Sequence, residues 1–310
     1  DVSREYYEKV VSYFFAEYEA GRTPNPDIMC NREIKFGIFL KRALAEGADA
    51  IATGHYVRLT HGSGSCHATP PSDRIGQGPA GAGGGTPSAC HPYALLKAKD
   101  LNKDQSYFLY SLTQEQLRYV LFPIGEYTKT EVRKMAKEWG LPTANRKDSQ
   151  GLCFLGKIPV RDFLKTRLAP REGALVTTSG EVVGTHEGAH YMTIGQRHGI
   201  GSPGGGTPYF VVEKNVVANR VIVAQGKEDA ALYRKEAFLE SIHWISRDVQ
   251  TFPLDCKARI RYRQALQEAT VKRAGEGVTV EFKNPQRAVT PGQACVFYQG
   301  EHMLGGGVIV

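Results

Sequence analysis

Apolar residues recur at helical spacing from the start of the chain. Tyr7, Val10, Val11, Phe14, Phe15 and Tyr18 fall on one face of a helix predicted over 4–20. Ser3 stands where an N-cap belongs, and Gly21 where a C-terminal stop belongs. Pro24 and Pro26 bias their preceding residues toward extended backbone, so 23–27 reads as non-helical. A second helix is predicted from Glu33 to Glu46, with Phe36, Phe39, Leu40, Ala43 and Leu44 on one face and Gly47 at its end. Residues 48–59 then read as one buried strand. Alternation of helix and strand predicts an α/β domain with a parallel sheet. Ligands in such sheets sit at the carboxyl ends of strands, which places Gly54 and His55 beside a site. Gly54 lets a ligand approach the backbone closely. His55 reads equally as a site residue and as a hydrogen-bonded structural histidine.

The pattern breaks at 62–92, where 13 of 31 residues are Gly or Pro. That density exceeds the roughly 25–30% typical of low-complexity segments, so a surface insertion is expected. Its Cys66-His67 and Cys90-His91 pairs fit no zinc spacing, and no metal site is assigned. A strand is predicted from Tyr93 to Ala98, followed by the polar cluster Asn102-Lys103-Asp104-Gln105-Ser106-Tyr107. Two capping boxes, Thr113 with Gln116 and Thr128 with Glu131, open helices, and the second helix stops at Gly140 before Pro142. A short helix from Val160 to Leu168 closes the first domain. Beyond Pro170 the periodicity becomes strand-like, with short strands around 175–177, 181–183, 209–212 and 221–223. A Gly-rich basic loop lies between them at 193–201. From Phe238 onward, closely spaced strands suit a small barrel. The expected division is an α/β domain at 1–167, a central β-rich domain at 168–227 and a β-barrel at 228–310.

Charge alters this picture. The chain of 310 residues carries a net charge of +7, with a pI of about 9.0, which favours a polyanionic partner. In Lys257-Ala258-Arg259-Ile260-Arg261-Tyr262-Arg263 the cations alternate with other residues. As a strand, this run projects all four from one face, an arrangement suited to a phosphate backbone, with Tyr262 on the opposite face. Six cysteines make no disulfide framework, and no segment reads as a signal peptide or membrane span. A reducing, cytoplasmic setting follows as the expectation. Two of the cysteines lie in dense polar motifs, Gly21-Arg22-Thr23-Pro24-Asn25-Pro26-Asp27-Ile28-Met29-Cys30-Asn31 and Lys147-Asp148-Ser149-Gln150-Gly151-Leu152-Cys153-Phe154. Both read as loop-to-element junctions rather than core strands. Arg22, Arg32 and Lys147 stand close enough in sequence to favour thiolates. Two thiols so placed suggest joint work on sulfur transfer.

These motifs, with Ala52-Thr53-Gly54-His55-Tyr56, Gly195-Gln196-Arg197, Arg261-Tyr262-Arg263-Gln264, Thr290-Pro291-Gly292-Gln293 and Leu304-Gly305-Gly306-Gly307, resemble the tRNA-specific 2-thiouridylase family over nearly the whole chain outside 62–92. The resemblance implies an ATP-pyrophosphatase-type α/β domain, a small central domain and a barrel, using ATP and Mg2+. It implies adenylation of the C2 oxygen of a wobble uridine in the tRNA anticodon loop, then attack by a persulfide on Cys153. Cys30 resolves the persulfide and leaves a Cys30–Cys153 disulfide. Asp27 is the implied acid/base, Asn25, Pro26 and Asp27 contact the target base, and Gly54 binds nucleotide. His55, Lys103, Asp104, Gln105, Arg261, Tyr262 and Gln293 are the implied tRNA contacts. A persulfide-donor protein is an implied partner, and no membrane is.

One departure stands out. The family's Ser-Gly-Gly-Val-Asp-Ser phosphate loop has no counterpart, and the chain opens on Asp1 with no Met, directly into a helix. We therefore expect sequence upstream. Two further readings stay open: a non-catalytic tRNA-binding fragment without ATP-phosphate binding, and a related enzyme acting on a small molecule.

Overall fold

The computed structural model describes residues 1–61, 93–145, 158–200, 206–245 and 251–310. The insertion and the Cys153 motif lie outside the described residues. The first helix runs without a break through Ser3–Tyr6, a π-type segment Tyr7–Val11 and Ser12–Glu19. Its wider π turns rotate the apolar stripe, so Tyr6 is buried while Tyr7 is 54% exposed. Ser3 is not the cap. Val2 holds that position, and the Ser3 hydroxyl donates to Asp1 Oδ1 at 2.6 Å.

The second helix begins earlier than the two prolines suggest, at Pro26, and continues through Pro26–Met29, Cys30–Phe39 and Leu40–Ala45. Proline is favoured at the first helical position, where its missing N–H has no partner to lose. The residue before it, Asn25, is extended, and its side-chain oxygen accepts from the Asp27 and Ile28 N–H groups. Cys30 is thereby helical rather than a loop residue.

Residues 48–59 do not form one strand. β1 (Ile51–Ala52) ends where Thr53 still donates to Leu121, and β2 (Arg58–His61) starts afresh after a turn. In between, Tyr56 exchanges hydrogen bonds with Gln105 instead of with a strand. β3 (Tyr93–Leu96) pairs antiparallel with β2, and β4 (Val120–Leu121) pairs parallel with β1. The central unit is a four-stranded sheet of β5 (Gly173–Thr177), β6 (Val182–His186), β7 (Tyr209–Asn215) and β8 (Arg220–Gln225), in the order β6-β5-β8-β7.

β9 (Tyr233–Trp244), β10 (Leu254–Arg259), β11 (Gln267–Ala274), β12 (Gly277–Arg287), β13 (Ala294–Gln299) and β14 (His302–Ile309) form a six-stranded barrel. It closes because β13 pairs with both β10 and β14. The ladder pair His302 with Leu96, the Lys97 N–H on Glu301 O at 2.9 Å and the Arg58–Glu301 ion pair at 2.8 Å tie β2 and β3 to it. One core cluster runs from the first domain into the barrel, joining Ile28, Phe36, Ile51, Tyr107 and Val120 to Val296, Tyr298 and Met303. Burial of this shared apolar surface fixes the two units against each other.

Candidate functional site

β1 and β4 run parallel, and Gly54 follows the carboxyl end of β1. It is exposed, and among the described residues only Ile124 Cδ1, at 4.0 Å, comes near where a Cβ would stand, so a ligand can lie against the backbone. His55 turns inward. It is 8% exposed, its Nδ1 lies 2.9 Å from Thr53 Oγ1, and its ring packs near Phe36 and Phe122. Burial, reinforced by Lys35, pushes its pKa down to about 3, so the imidazole is neutral. The unfolded chain takes up this proton near 6.5 and the folded one does not until about 3. Stability is therefore full above the upper value and falls as pH drops through the interval, by about tenfold in the folding constant per pH unit. Denaturant titrations between neutral and mildly acid pH should show that slope, and His55→Gln should flatten it; an unchanged slope in the variant contradicts this role for His55.

The helix that starts at Pro26 places Asn25 at its cap, Asp27 in its first turn and Cys30 one turn on. Residues three apart share a helix face. Cys30 is 0% exposed and belongs to one buried cluster with Tyr6, Ile34, Leu164 and Tyr191. The next residue, Asn31, donates to the Phe108 carbonyl at 3.2 Å, tying this helix to the turn after the polar cluster.

The polar cluster divides by burial. Lys103 is half-buried, with its N–H on the Asp100 carbonyl at 3.0 Å. Gln105 Oε1 accepts from the Tyr56 N–H at 3.0 Å, which links it to the His55 loop. Asp104 is 2% exposed and has no surface to offer RNA in this structure. It accepts from the Ala98 and Ser106 N–H groups and pairs with Arg259 at 3.1 Å, across the junction with the barrel. Arg259 also lies 4.7 Å from the Tyr298 ring centroid.

That pairing overturns the single-faced cationic strand. β10 stops at Arg259, the loop before Ser106 covers that side of it, and the chain turns away at 260–263. Lys257 and Arg263 are exposed, Arg259 is buried and Arg261 is half-buried. One Arg261 NH2 group donates to Ile194 O at 3.2 Å, Ala288 O at 2.8 Å and Thr290 Oγ1 at 3.1 Å. Burial, with Arg287 nearby, lowers its pKa from the usual arginine value. Tyr262 packs on Phe108 with centroids 4.5 Å apart. A hollow of about 290 Å³ lies beside these residues, walled by Lys97, Asn102, Arg263 and Gln264.

The barrel turn after Thr290 reaches the stretch that leads into Asn25. Pro291 O accepts from the Thr23 N–H at 2.8 Å, and Gln293 Nε2 donates to Thr23 O at 2.7 Å. Gln293 and Tyr262 of the barrel thus meet the first domain at Thr23 and Phe108, and Arg261 meets the central domain at Ile194, while Gln105 is joined to the His55 loop within the first domain. Sequence alone reads Arg259 as one of four cations on an outward strand face, and Thr23, Asn31 and Gly292 only as members of longer motifs; it marks none of the four as holding the junction of the domains. Only the Pro291-Gly292 pair signalled a turn, and nothing local signalled what the turn would meet.

Three family models match in succession: a tRNA methyl transferase HUP domain over 1–157, a tRNA methyl transferase PRC-barrel domain over 161–225 and an aminomethyltransferase β-barrel domain over 234–309. This order defines the class, a HUP domain followed by a PRC barrel and a closed terminal barrel. A relative from Halalkalibacterium halodurans is 45% identical over 99% of this chain and 76% of its own length. One from Marinomonas sp. is 46% identical over 98% of this chain and 73% of its own, and one from Christiangramia forsetii is 43% identical over 100% and 82%. All three are named tRNA-specific 2-thiouridylase MnmA. The chain belongs to the tRNA-specific 2-thiouridylase family.

Proposed function

We propose that the protein replaces the C2 oxygen of the wobble uridine of tRNA with sulfur, using ATP as a second substrate. The observation that carries this reading is the helix starting at Pro26, which sets Asp27 and Cys30 one turn apart behind a loop gripped by the barrel. Asn25, Pro26 and Asp27 would face the target base. Asp27 would handle the proton of the uracil ring as the C2 oxygen is adenylated, with pyrophosphate leaving. The adenine side of ATP would lie against exposed Gly54. Magnesium enters as the companion of the ATP phosphates; among the described residues no three acidic, histidine or cysteine side chains gather to hold a metal ion.

A persulfide on Cys153 would attack C2, and AMP would leave with the original oxygen. Cys30 would then attack the inner sulfur, leaving the outer sulfur on the base and a Cys30–Cys153 disulfide for a reductant to reopen. Burial of the Cys30 thiol keeps it from solvent oxidants between cycles. Lys103, Gln105, Tyr262, Arg261 and Gln293 would frame the RNA, whose anticodon-loop bases unstack at modest cost. The sulfur arrives from a persulfide-carrying donor protein, and the setting is cytoplasmic; no helix of the described residues is long and apolar enough to cross a membrane.

The test uses protein expressed from its full reading frame, with tRNA whose target uridine carries heavy oxygen at C2. The label should appear in AMP, one atom for each thiolated uridine. Label released into water instead would contradict adenylation. Cys30→Ser should reduce 2-thiouridine to background. Asp27→Asn should slow its formation by about a hundredfold or more, the lower end of what positioned proton transfer supplies.

A further inference from the structure

The helix Lys129–Glu138 lies on the surface with none of its residues buried. Between it and the 100–103 turn runs a groove of about 630 Å³, lined by Lys103, Lys129, Arg133, Lys134 and Lys137, with Asp100 its single acid among the described residues. Lys129, Arg133 and Lys137 follow at intervals of four, so they form one row down the helix. Each step along that row is about 6 Å, close to the separation of successive phosphates in an RNA strand.

Asp100 accepts from the Asn102 N–H at 3.1 Å and the Lys129 N–H at 3.0 Å, which fixes the turn against the start of the helix. Glu131 completes the capping box with Thr128, and Glu138 faces Lys134 across 3.8 Å in an exposed pair of little energetic weight. Asn102 lines both this groove and the hollow beside Arg263. A cationic track therefore runs from the helix past Lys103 and Lys97 to the 261–263 turn. Exposed Trp139 stands at the end of the helix, where an aromatic ring can stack on a base.

We propose that this groove binds the sugar-phosphate backbone of the tRNA, apart from the reacting uridine. The inference rests on the tRNA reading above and adds a contact surface to it. The groove fixes register and strengthens binding without reading sequence, as phosphate contacts do.

The test measures binding of unmodified tRNA against salt concentration, for the wild type and for the double variant Arg133→Glu/Lys137→Glu. Both positions are exposed on a helix without buried residues, so folding is not at stake. The double variant should bind at least about tenfold more weakly, with the slope of log affinity against log salt shallower by about one unit for each phosphate that is no longer neutralised. The weakening should be the same for tRNAs of different anticodon. Wild-type affinity and slope in the variant would overturn the groove while leaving the tRNA reading in place. No salt-dependent tRNA binding by the wild type would overturn that reading and the groove with it. Loss of polyglutamate binding with tRNA binding intact would assign the groove to an acidic protein surface, and the proposal would fail.

Discussion

Gly292→Ala is expected to slow tRNA thiolation by about a hundredfold, the cost of a small misplacement in a reacting site. Its expected cost to the fold is more than the about 1–2 kcal/mol of left-handed backbone at a residue with a Cβ, because the added carbon also meets backbone. Gly292 has φ +89°, and a Cβ there would stand 2.8 Å from Thr23 N and 2.9 Å from Thr23 C and O. Neither side can give way easily. The turn is held by the Gly292 N–H on Ile309 O at 2.8 Å, and Thr23 by Pro291 O at 2.8 Å. The displacement passes along Thr23–Pro24 to Asn25, whose side chain caps the helix carrying Asp27 and Cys30. Gly275→Ala supplies the control: its φ is +58° but none of the described residues lies within 4 Å of the added carbon. That variant should bear similar backbone strain at full rate. A folded Gly292→Ala protein with wild-type turnover would contradict the idea that the barrel turn sets the catalytic loop.

Asp104→Ala is expected to lower unfolding stability by about 3–5 kcal/mol, the usual consequence of leaving one member of a buried ion pair alone. Arg259 and Asp104 have side chains 7% and 1% exposed, so the abandoned guanidinium stays largely out of water. The substitution also strips the Ala98 N–H, the Ser106 N–H and the Ser106 hydroxyl of their acceptor. Denaturant unfolding measures the effect. Adding Arg259→Met to Asp104→Ala should recover a good part of it, because a flexible apolar chain replaces the unpaired charge. At concentrations where both proteins are folded, Asp104→Ala should bind tRNA nearly as well as wild type. A large drop in tRNA affinity with unchanged stability would mean that Asp104 meets RNA directly.

Local rules read well where local forces decide. Both capping boxes form as their spacing predicts, with Thr113 and Gln116, and Thr128 and Glu131, each exchanging side-chain and backbone bonds. Gly21, Gly47 and Gly140 all take positive φ at helix ends. The strand-rich centre and the terminal barrel followed from periodicity alone. Failures came where a rule had two readings or where a partner lay far along the chain. Pro26 signals a break in one reading and a helix start in the other, and the Asn25 cap decided between them. Alternation correctly put Lys257 and Arg259 on one side of β10, but could not show that a loop 155 residues away covers the second and leaves the first in water. The same holds for Gln293, whose amide meets Thr23 O across 270 residues of sequence.

Sulfur in tRNA is the most direct test of thiolation. Protein from the full reading frame, given unmodified tRNA, ATP with magnesium and a persulfide source, is followed by mass spectrometry of the digested nucleosides. The expected product is 2-thiouridine at the wobble position, dependent on ATP and absent with Cys30→Ser or Cys153→Ser. Tight tRNA binding with no 2-thiouridine under any of these conditions would contradict thiolation and leave a tRNA-binding protein in place of the enzyme.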